Sequence, residues 1–337
     1  MDLDIQTKLL NCVKDKLGKK DTVPNALSDL LCISMDAAYR RNRNETPFTI
    51  HEVQKICNHY GISLDALLGM GETNVMFNYN PTHLYDFSLE QYLEGMLTAL
   101  KTLKQCTNPS FILTTNNLAI FQLLNFPRLS RFRLYFWAKT HLHIEEYREA
   151  LHTDERVTET AFNLGAEILD LYVNIPTKEC YDTEFLKGFI RQIQYYSNAR
   201  LFEDPHYALK LMDDVKNMAD HIKAQSQLGY KMKFRDDSKN IGAKYDVYLN
   251  DTINSDNSFY YSADEIEGIY LSHNQMNFLH TNDAVYVNET KSILEKQLAN
   301  SSFISESNEK ERNIFFHRID QTIMSVRQKI ELDIMSS

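Results

Sequence analysis

Apolar positions in the first part of the chain form short helical stripes separated by capping residues. Ile5, Leu9, Leu10 and Val13 follow the three- and four-residue spacing of one helix face. Leu27, Leu30 and Leu31 repeat it, with Ala26 four residues before Leu30. Ile33 closes a turn, and the Ser34 hydroxyl suits an N-cap because it accepts from a free amide of the next helix's first turn. That helix starts at Met35 and runs through Asp36, Ala37, Ala38, Tyr39, Arg40 and Arg41, with small Ala38 where the two helices must approach. A loop with Arg43, Asn44, Glu45 and Pro47 follows. Thr49 and Glu52 have capping-box spacing, so a further helix begins at Ile50 and turns Val53, Ile56 and Cys57 inward. Gly61 ends it, and Ser63 caps a last turn whose Leu64, Leu67 and Leu68 complete a small core.

Residues 70–87 lose this periodicity, gather Gly71, Asn74, Asn78, Asn80 and Pro81, and read as a linker. Ser88 and Gln91 then open a helix from Leu89 to about Lys104, striped by Tyr92, Met96, Leu100 and Leu103. A short strand fits Phe111 to Thr114, with a turn at Asn116 and Asn117. Pro127 starts a helix through Leu129, Phe132, Phe136 and Trp137 to about Leu142. Apolar spacings of three and four place more helices near 144–150, 155–173, 182–198 and 206–227, so that 88–228 reads as an antiparallel helical array. From Lys231 the period becomes two: Tyr245, Val247 and Leu249, then Phe259 and Tyr261, then GIYLS, MNFLHT and AVYVN, together an antiparallel meander. Glu289 begins a helix with Ile293, Leu294 and Leu298. A last helix, about Ser307 to Leu332, carries Phe315, Ile319, Ile323, Val326 and Ile330, a stripe that suits burial on the sheet or a dimer seam. The expected fold is mainly α with a C-terminal α+β part. It divides into 1–69, the linker 70–87, a helical domain 88–228 and an α+β domain 229–337 that either stands apart from 88–228 or joins it.

Within residues 4–69, the pieces LSDLLCIS, AAYRRNRNETPFT and HYGISLDALL resemble the Cro/C1-type (XRE) helix-turn-helix domain of phage repressors and bacterial regulators. The resemblance implies a five-helix domain whose second motif helix lies in the major groove of double-stranded DNA. Along that helix, from Met35 through Ala37 and Tyr39, it makes Met35, Asp36 and Arg40 the base readers and Ser34, Arg41, Arg43 and Asn44 the phosphate contacts. Arginine suits guanine, since its fork donates to both O6 and N7. Met35 and Asp36 depart from the Gln and Ser/Thr frequent there, which leaves the recognised bases open. Palindromic half-sites make a homodimer the default assembly.

Charge narrows where DNA can bind. Residues 1–69 hold nine Lys/Arg and nine Asp/Glu, whereas the rest holds 27 and 37 and carries the entire net charge of −10. Phosphates would repel that acidic remainder. Five scattered cysteines without a C-x-x-C pair read as reduced thiols of a cytoplasmic protein, and no stretch of 18 apolar residues suggests a membrane span.

Searching for chemistry gives little. His141 and His143, near Glu145 and Glu146, offer metal-ligand types, but two residues apart on a helix they face different sides. His273 and His280 flank an expected hairpin. No phosphate-loop, dinucleotide, nucleophile-elbow or H-E-x-x-H motif occurs, so neither an enzyme nor a cofactor nor a metal is expected. Arg128, Arg131 and Arg133 stand beside Phe132, Tyr135, Phe136 and Trp137. They read either as a pocket for an anionic small-molecule or peptide effector, or as guanidinium stems covering a core helix while their heads pair with acids. Tyr195, Tyr196 and Arg200 invite the same two readings. The leading functional expectation is a transcription regulator. A peptide-binding helical solenoid and a C-terminal enzyme are the alternatives, although no 34-residue repeat supports the first.

Overall fold

The computed structural model describes residues 4–17, 21–67, 75–79, 88–115, 117–235, 241–252, 257–273 and 277–336. Contacts divide the chain into two units, Met1–Val75 and Met76–Ser337. Leu68 and most of the expected linker 70–87 lie outside the described residues, as does Asn116 of the expected turn.

The first unit contains α1 (Ile5–Lys16), α2 (Val23–Leu31), α3 (Met35–Asn42), α4 (Ile50–Tyr60) and α5 (Leu64–Leu67). Its core is Leu9, Leu10, Val13, Leu27, Leu31, Ala38, Ile56, Cys57 and Leu67, close to the set that helical spacing selects. The capping chemistry acts where the sequence places it. Thr49 and Glu52 form a reciprocal capping box on α4, and Gly61 ends that helix in the left-handed region at φ 59°.

The second unit is an α/β assembly. In chain order it has β1 (Asn78–Tyr79), α6 (Leu89–Lys104), β2 (Ser110–Thr114), α7 (Ile120–Leu123), α8 (Pro127–Phe136) running into a π-helical turn (Trp137–His141), and α9 (Glu145–Arg148). A 3₁₀ turn (Asp154–Arg156), α10 (Glu159–Val173), β3 (Thr177–Tyr181), α11 (Lys187–Asn198) and α12 (Tyr207–Leu228) follow. The chain closes with β4 (Tyr245–Leu249), β5 (Ser258–Ala263), β6 (Ile266–His273), β7 (Asn277–Thr281), α13 (Ala284–Ala299), β8 (Ser302–Phe303) and α14 (Glu309–Met335).

One sheet of eight strands, in the order β1-β7-β6-β5-β2-β3-β4-β8, runs through this unit. β2, β3 and β4 are neighbours and parallel, while β5, β6 and β7 form an antiparallel meander joined to β2. The β2–β3 and β3–β4 crossovers step in the same direction along the sheet, which for connections of one hand puts their helices on the same face. The large core on that face joins Phe111 and Leu113 of β2 and Tyr245 and Val247 of β4 to α6–α8, α10–α12 and α14. The opposite face, alternating with it along each strand, packs Ile112, Cys180, Tyr260 and Ile269 against Val287, Leu294 and Leu298 of α13.

One expectation needs correction, and two open alternatives are decided. Of the two arrangements open to 88–228, the joined one is observed: β2 and β3 thread through it, so its helices cover a sheet and do not stack as a solenoid. AVYVN is not a strand. The Asp283 side chain accepts from Tyr286 N at 2.9 Å and starts α13 at Ala284, five residues earlier than expected. Of the two uses open to the α14 stripe, burial is the one observed, since Phe315, Ile319, Ile323 and Ile330 all lie within the chain's own core.

Candidate nucleic-acid interface

The α2–α3 corner is built by hydrogen bonds that leave little freedom. Cys32 takes the left-handed region at φ 54°, unusual for a residue with a Cβ, and ends α2. Ser28 fastens the turn twice: its carbonyl accepts from Ile33 N at 3.2 Å, and its hydroxyl donates to the Ile33 carbonyl at 2.7 Å. Ser34 then accepts from Ala37 N at 3.2 Å as the N-cap of α3. Ala38 is fully buried, and a larger side chain there would push α3 off α2.

With Ala38 turned inward, Met35, Asp36, Tyr39, Arg40 and Arg43 face outward. Met35 and Tyr39 are large side chains left exposed on this face. Arg40 Nη2 lies 2.6 Å from Asp36 Oδ2, and Arg43 Nε lies 3.1 Å from Glu45 Oε1, all in solvent. Ala37 is half-buried.

Two expected phosphate contacts are committed elsewhere. Arg41 is only 14% exposed at its side chain and reaches Glu52 Oε1 at 2.7 Å, while Nη1 donates to the Ala37 carbonyl at 3.4 Å. Burial raises the Glu52 carboxyl, but hydrogen bonds from Thr49 N and from Arg41 outweigh it and hold Glu52 below its ordinary value. Arg41 is therefore a strut joining α3 to the capped start of α4. Asn44 sits at φ 58° and donates through Nδ2 to Thr7 Oγ1 at 2.6 Å, which ties the loop to α1. Gln6 completes this tie. Its amide donates to the carbonyls of Arg41 and Thr46 at 2.9 and 3.0 Å and accepts from Phe48 N at 2.9 Å. Nothing in the local sequence marks Gln6, because its partners lie at least 35 residues away.

The arginines of α8 are not brought together into a pocket. Arg128 makes a two-pronged pair with Asp214, Nε to Oδ2 at 2.7 Å and Nη2 to Oδ1 at 2.8 Å, which raises its pKa. Arg131 donates to the carbonyls of Asp154 and Val157, pairs with Glu159 at 2.6 Å and lies 4.5 Å from the Phe162 ring centre. Arg133 is buried, bonds Gln192 Oε1 at 2.9 Å and stacks 4.5 Å from Phe189 and 5.7 Å from Trp137. Burial pushes its pKa down to about 10. Trp137 is itself buried, edge-on to Tyr92. Tyr196 is buried and shares a 3.1 Å bond with Thr140, whereas Tyr195 is exposed. Among the described residues no group of three or more His, Cys, Asp or Glu could hold a metal ion, and no helix is long and apolar enough to cross a membrane.

A second polar cluster escaped the sequence reading. Glu179, fully buried in the middle of β3, accepts from the hydroxyls of Tyr172, Tyr181 and Tyr245. Lys231, equally buried, donates to the carbonyls of Tyr172 and Ile175 and to Thr177 Oγ1 at 2.6–2.8 Å, with its ammonium 3.3 Å from the Tyr172 ring centre. Burial drives the Lys231 pKa well down and the three tyrosine pKa values well up. Every charged or hydroxyl group here has a protein partner, so the cluster acts as a buried tie between β3, β4 and the ends of α10 and α12.

Comparison with known proteins corrects the family. Residues 12–96, from inside α1 to inside α6, match the model of the BetR domain, in loose accord with a regulator, and not the Cro/C1-type family. The pieces behind that resemblance specify a capped turn and a small buried residue, and different families can meet this requirement. No curated protein and no solved structure matches the chain. What the comparison supplies is a match over a quarter of the chain, and that stretch contains the α2–α3 corner.

Proposed function

We propose that the protein is a transcription regulator that binds specific double-stranded DNA through the outer face of α3. The observation carrying this reading is the arrangement of that helix, which is capped by Ser34, seated on Ala38, and turns Met35, Asp36, Tyr39, Arg40 and Arg43 outward. A helix held this way fits the roughly 12 Å wide major groove, and its N-terminal residues meet the base edges. The BetR match over the same residues supports the regulatory character. With nine positive and nine negative side chains in residues 1–69, affinity comes from local placement of Arg40 and Arg43 and not from a strongly basic unit. The acidic α/β unit then serves pairing and control, in a homodimer that reads two half-sites about one turn of DNA apart. On this reading the protein is no enzyme and needs no cofactor.

Selection from a random duplex library with the full chain tests the reading. A recovered motif whose binding weakens when Arg40 and Arg43 are both replaced by alanine, with unchanged thermal unfolding, is the expected result. A chain that retains no duplex, or retains all sequences alike across salt concentrations, overturns it.

A further inference from the structure

Among the three arginines near the α2–α3 corner, one is both exposed and held in a defined direction within α3. Arg41 is occupied by Glu52 on the inner side. Arg43 lies past the last residue of α3 and leans on Glu45, at the edge of the face where backbone phosphates pass. Arg40 projects from the helix one turn beyond Asp36, and Nη2 meets Oδ2 at 2.6 Å, although the two side chains are 53% and 74% exposed. An exposed pair of this kind adds little to folding. Its effect is on direction: it removes rotamer freedom from a long side chain that would otherwise have to be ordered when it binds.

We propose that Arg40 reads a guanine and that Asp36 is the residue that positions it, which makes this pair the main determinant of base choice at one step of the operator. This rests on the DNA-binding reading above. A guanidinium carries five N–H donors. With one Nη2 hydrogen on Asp36, Nη1 keeps two and Nη2 keeps one, enough for guanine O6 and N7 together. Adenine fails in this geometry because it offers N7 but presents a donor amine where O6 would be. The pairing also explains how a carboxylate is tolerated on a DNA-facing helix. Alone, Asp36 would be repelled by phosphates, whereas beside Arg40 its charge is offset.

Selection from a random duplex library followed by competition binding, with the full chain and its variants, decides the matter. The wild type selects a motif with an invariant guanine in each half-site. Arg40→Ala loses preference at that position alone, by roughly ten- to a hundredfold, and keeps preferences elsewhere. Asp36→Ala relaxes guanine over adenine at the same position, and Asp36→Asn, whose amide oxygen still accepts from Arg40, restores part of it. A merely structural role would instead lower affinity evenly over all positions. If the wild type selects a motif that Arg40→Ala leaves intact at every guanine, the guanine assignment falls while DNA reading stands. If Arg40→Ala erases one guanine and Asp36→Ala does not touch it, the positioning role falls. If the wild type selects no motif, both this inference and the DNA-binding reading fall.

Discussion

Two segments of this chain carry three arginines each within a few residues, and the fold uses them in different ways. Near the α2–α3 corner, Arg40 and Arg43 find partners only within four residues, Asp36 and Glu45, and stay in solvent. On α8, Arg128, Arg131 and Arg133 find theirs at Asp214, on the 154–159 segment and at Gln192, brought from 23 to 86 residues away, and are drawn into the packing of the unit. Local spacing is similar in both cases. The difference is what the rest of the chain packs against the helix: within its unit α3 packs mainly on α2 and keeps one face exposed, while α8 packs against α10, α11 and α12. An arginine cluster is thus a binding face only where the fold brings no distant acceptor to it.

The largest expected effect that separates the two units is acid sensitivity. His152 and His221 are buried in the α/β unit, and burial lowers both pKa values to about 4 from the ordinary 6.5. Asp154 opposes the shift at His152, whose ring nitrogens lack partners, and a bond with the Met232 carbonyl opposes it at His221. The unfolded chain therefore binds more protons between the two values. This stability is complete above about pH 6.5 and is lost as pH falls toward 4, by about 3 kcal/mol per histidine. In the first unit His51 and His59 are exposed, and Glu52, depressed as a carboxylate, loses its contribution only below its ordinary value near 4.5. Hydrogen exchange at pH 5 should show amides of β2–β4 opening while those of α2–α4 stay protected. Equal loss in both units would break the contrast.

Arg133→Ala comes next. Truncation removes a buried guanidinium from between Phe189 and Trp137 and leaves Gln192 without its partner, a cost of about 3 kcal/mol to the α/β unit. Denaturant unfolding would read it, and the affinity of the folded protein for a selected duplex should not move. A variant with unchanged stability would mean that Arg133 is not part of the core and would reopen the ligand reading.

The same contrast explains what the sequence discloses. The first unit is legible because its determinants are local: the Ser34 cap, the Thr49–Glu52 box, Ala38 and Gly61 lie within a few residues of what they control. β3 is illegible because its inward positions are Thr177, Glu179 and Tyr181, polar letters on a core face, satisfied by Tyr172, Tyr245 and Lys231 from elsewhere. AVYVN misleads through β-branched and aromatic residues, while the deciding residue is the Asp283 cap before it. At the candidate site, the exposed face of α3 follows from placing Ala38 inward. The reassignment of Arg41 follows only from its approach to Glu52 across the loop.

Arg128→Ala should cost less than Arg133→Ala. Asp214 is 12% exposed and would lose both charge-assisted bonds, but the Arg128 side chain is 42% exposed and water replaces part of what is lost. About 1–2 kcal/mol of destabilisation is expected, largely restored in Arg128→Ala/Asp214→Asn, where no buried charge is stranded. A double-mutant cycle checks this, and a coupling near zero would place Arg128 with the solvent-facing arginines of the first unit.

The smallest expected stability change is at Arg40, and it is the one that sharpens the comparison most. Arg40→Ala removes an ion pair between two exposed side chains, worth a few tenths of a kcal/mol in a helix, and replaces arginine by the best helix former. The two terms nearly cancel, so the unfolding midpoint of the first unit should stay within about 0.5 kcal/mol of the wild type. Arg41→Ala, one residue on, should instead cost about 1–2 kcal/mol, because Glu52 loses the partner that balances its burial. Adjacent arginines would then differ in kind, one silent in folding and decisive for base choice, the other decisive for folding. A destabilisation of Arg40→Ala as large as that of Arg41→Ala would show that the outer face of α3 is a structural surface, and would remove the reason for reading it as the side that meets DNA.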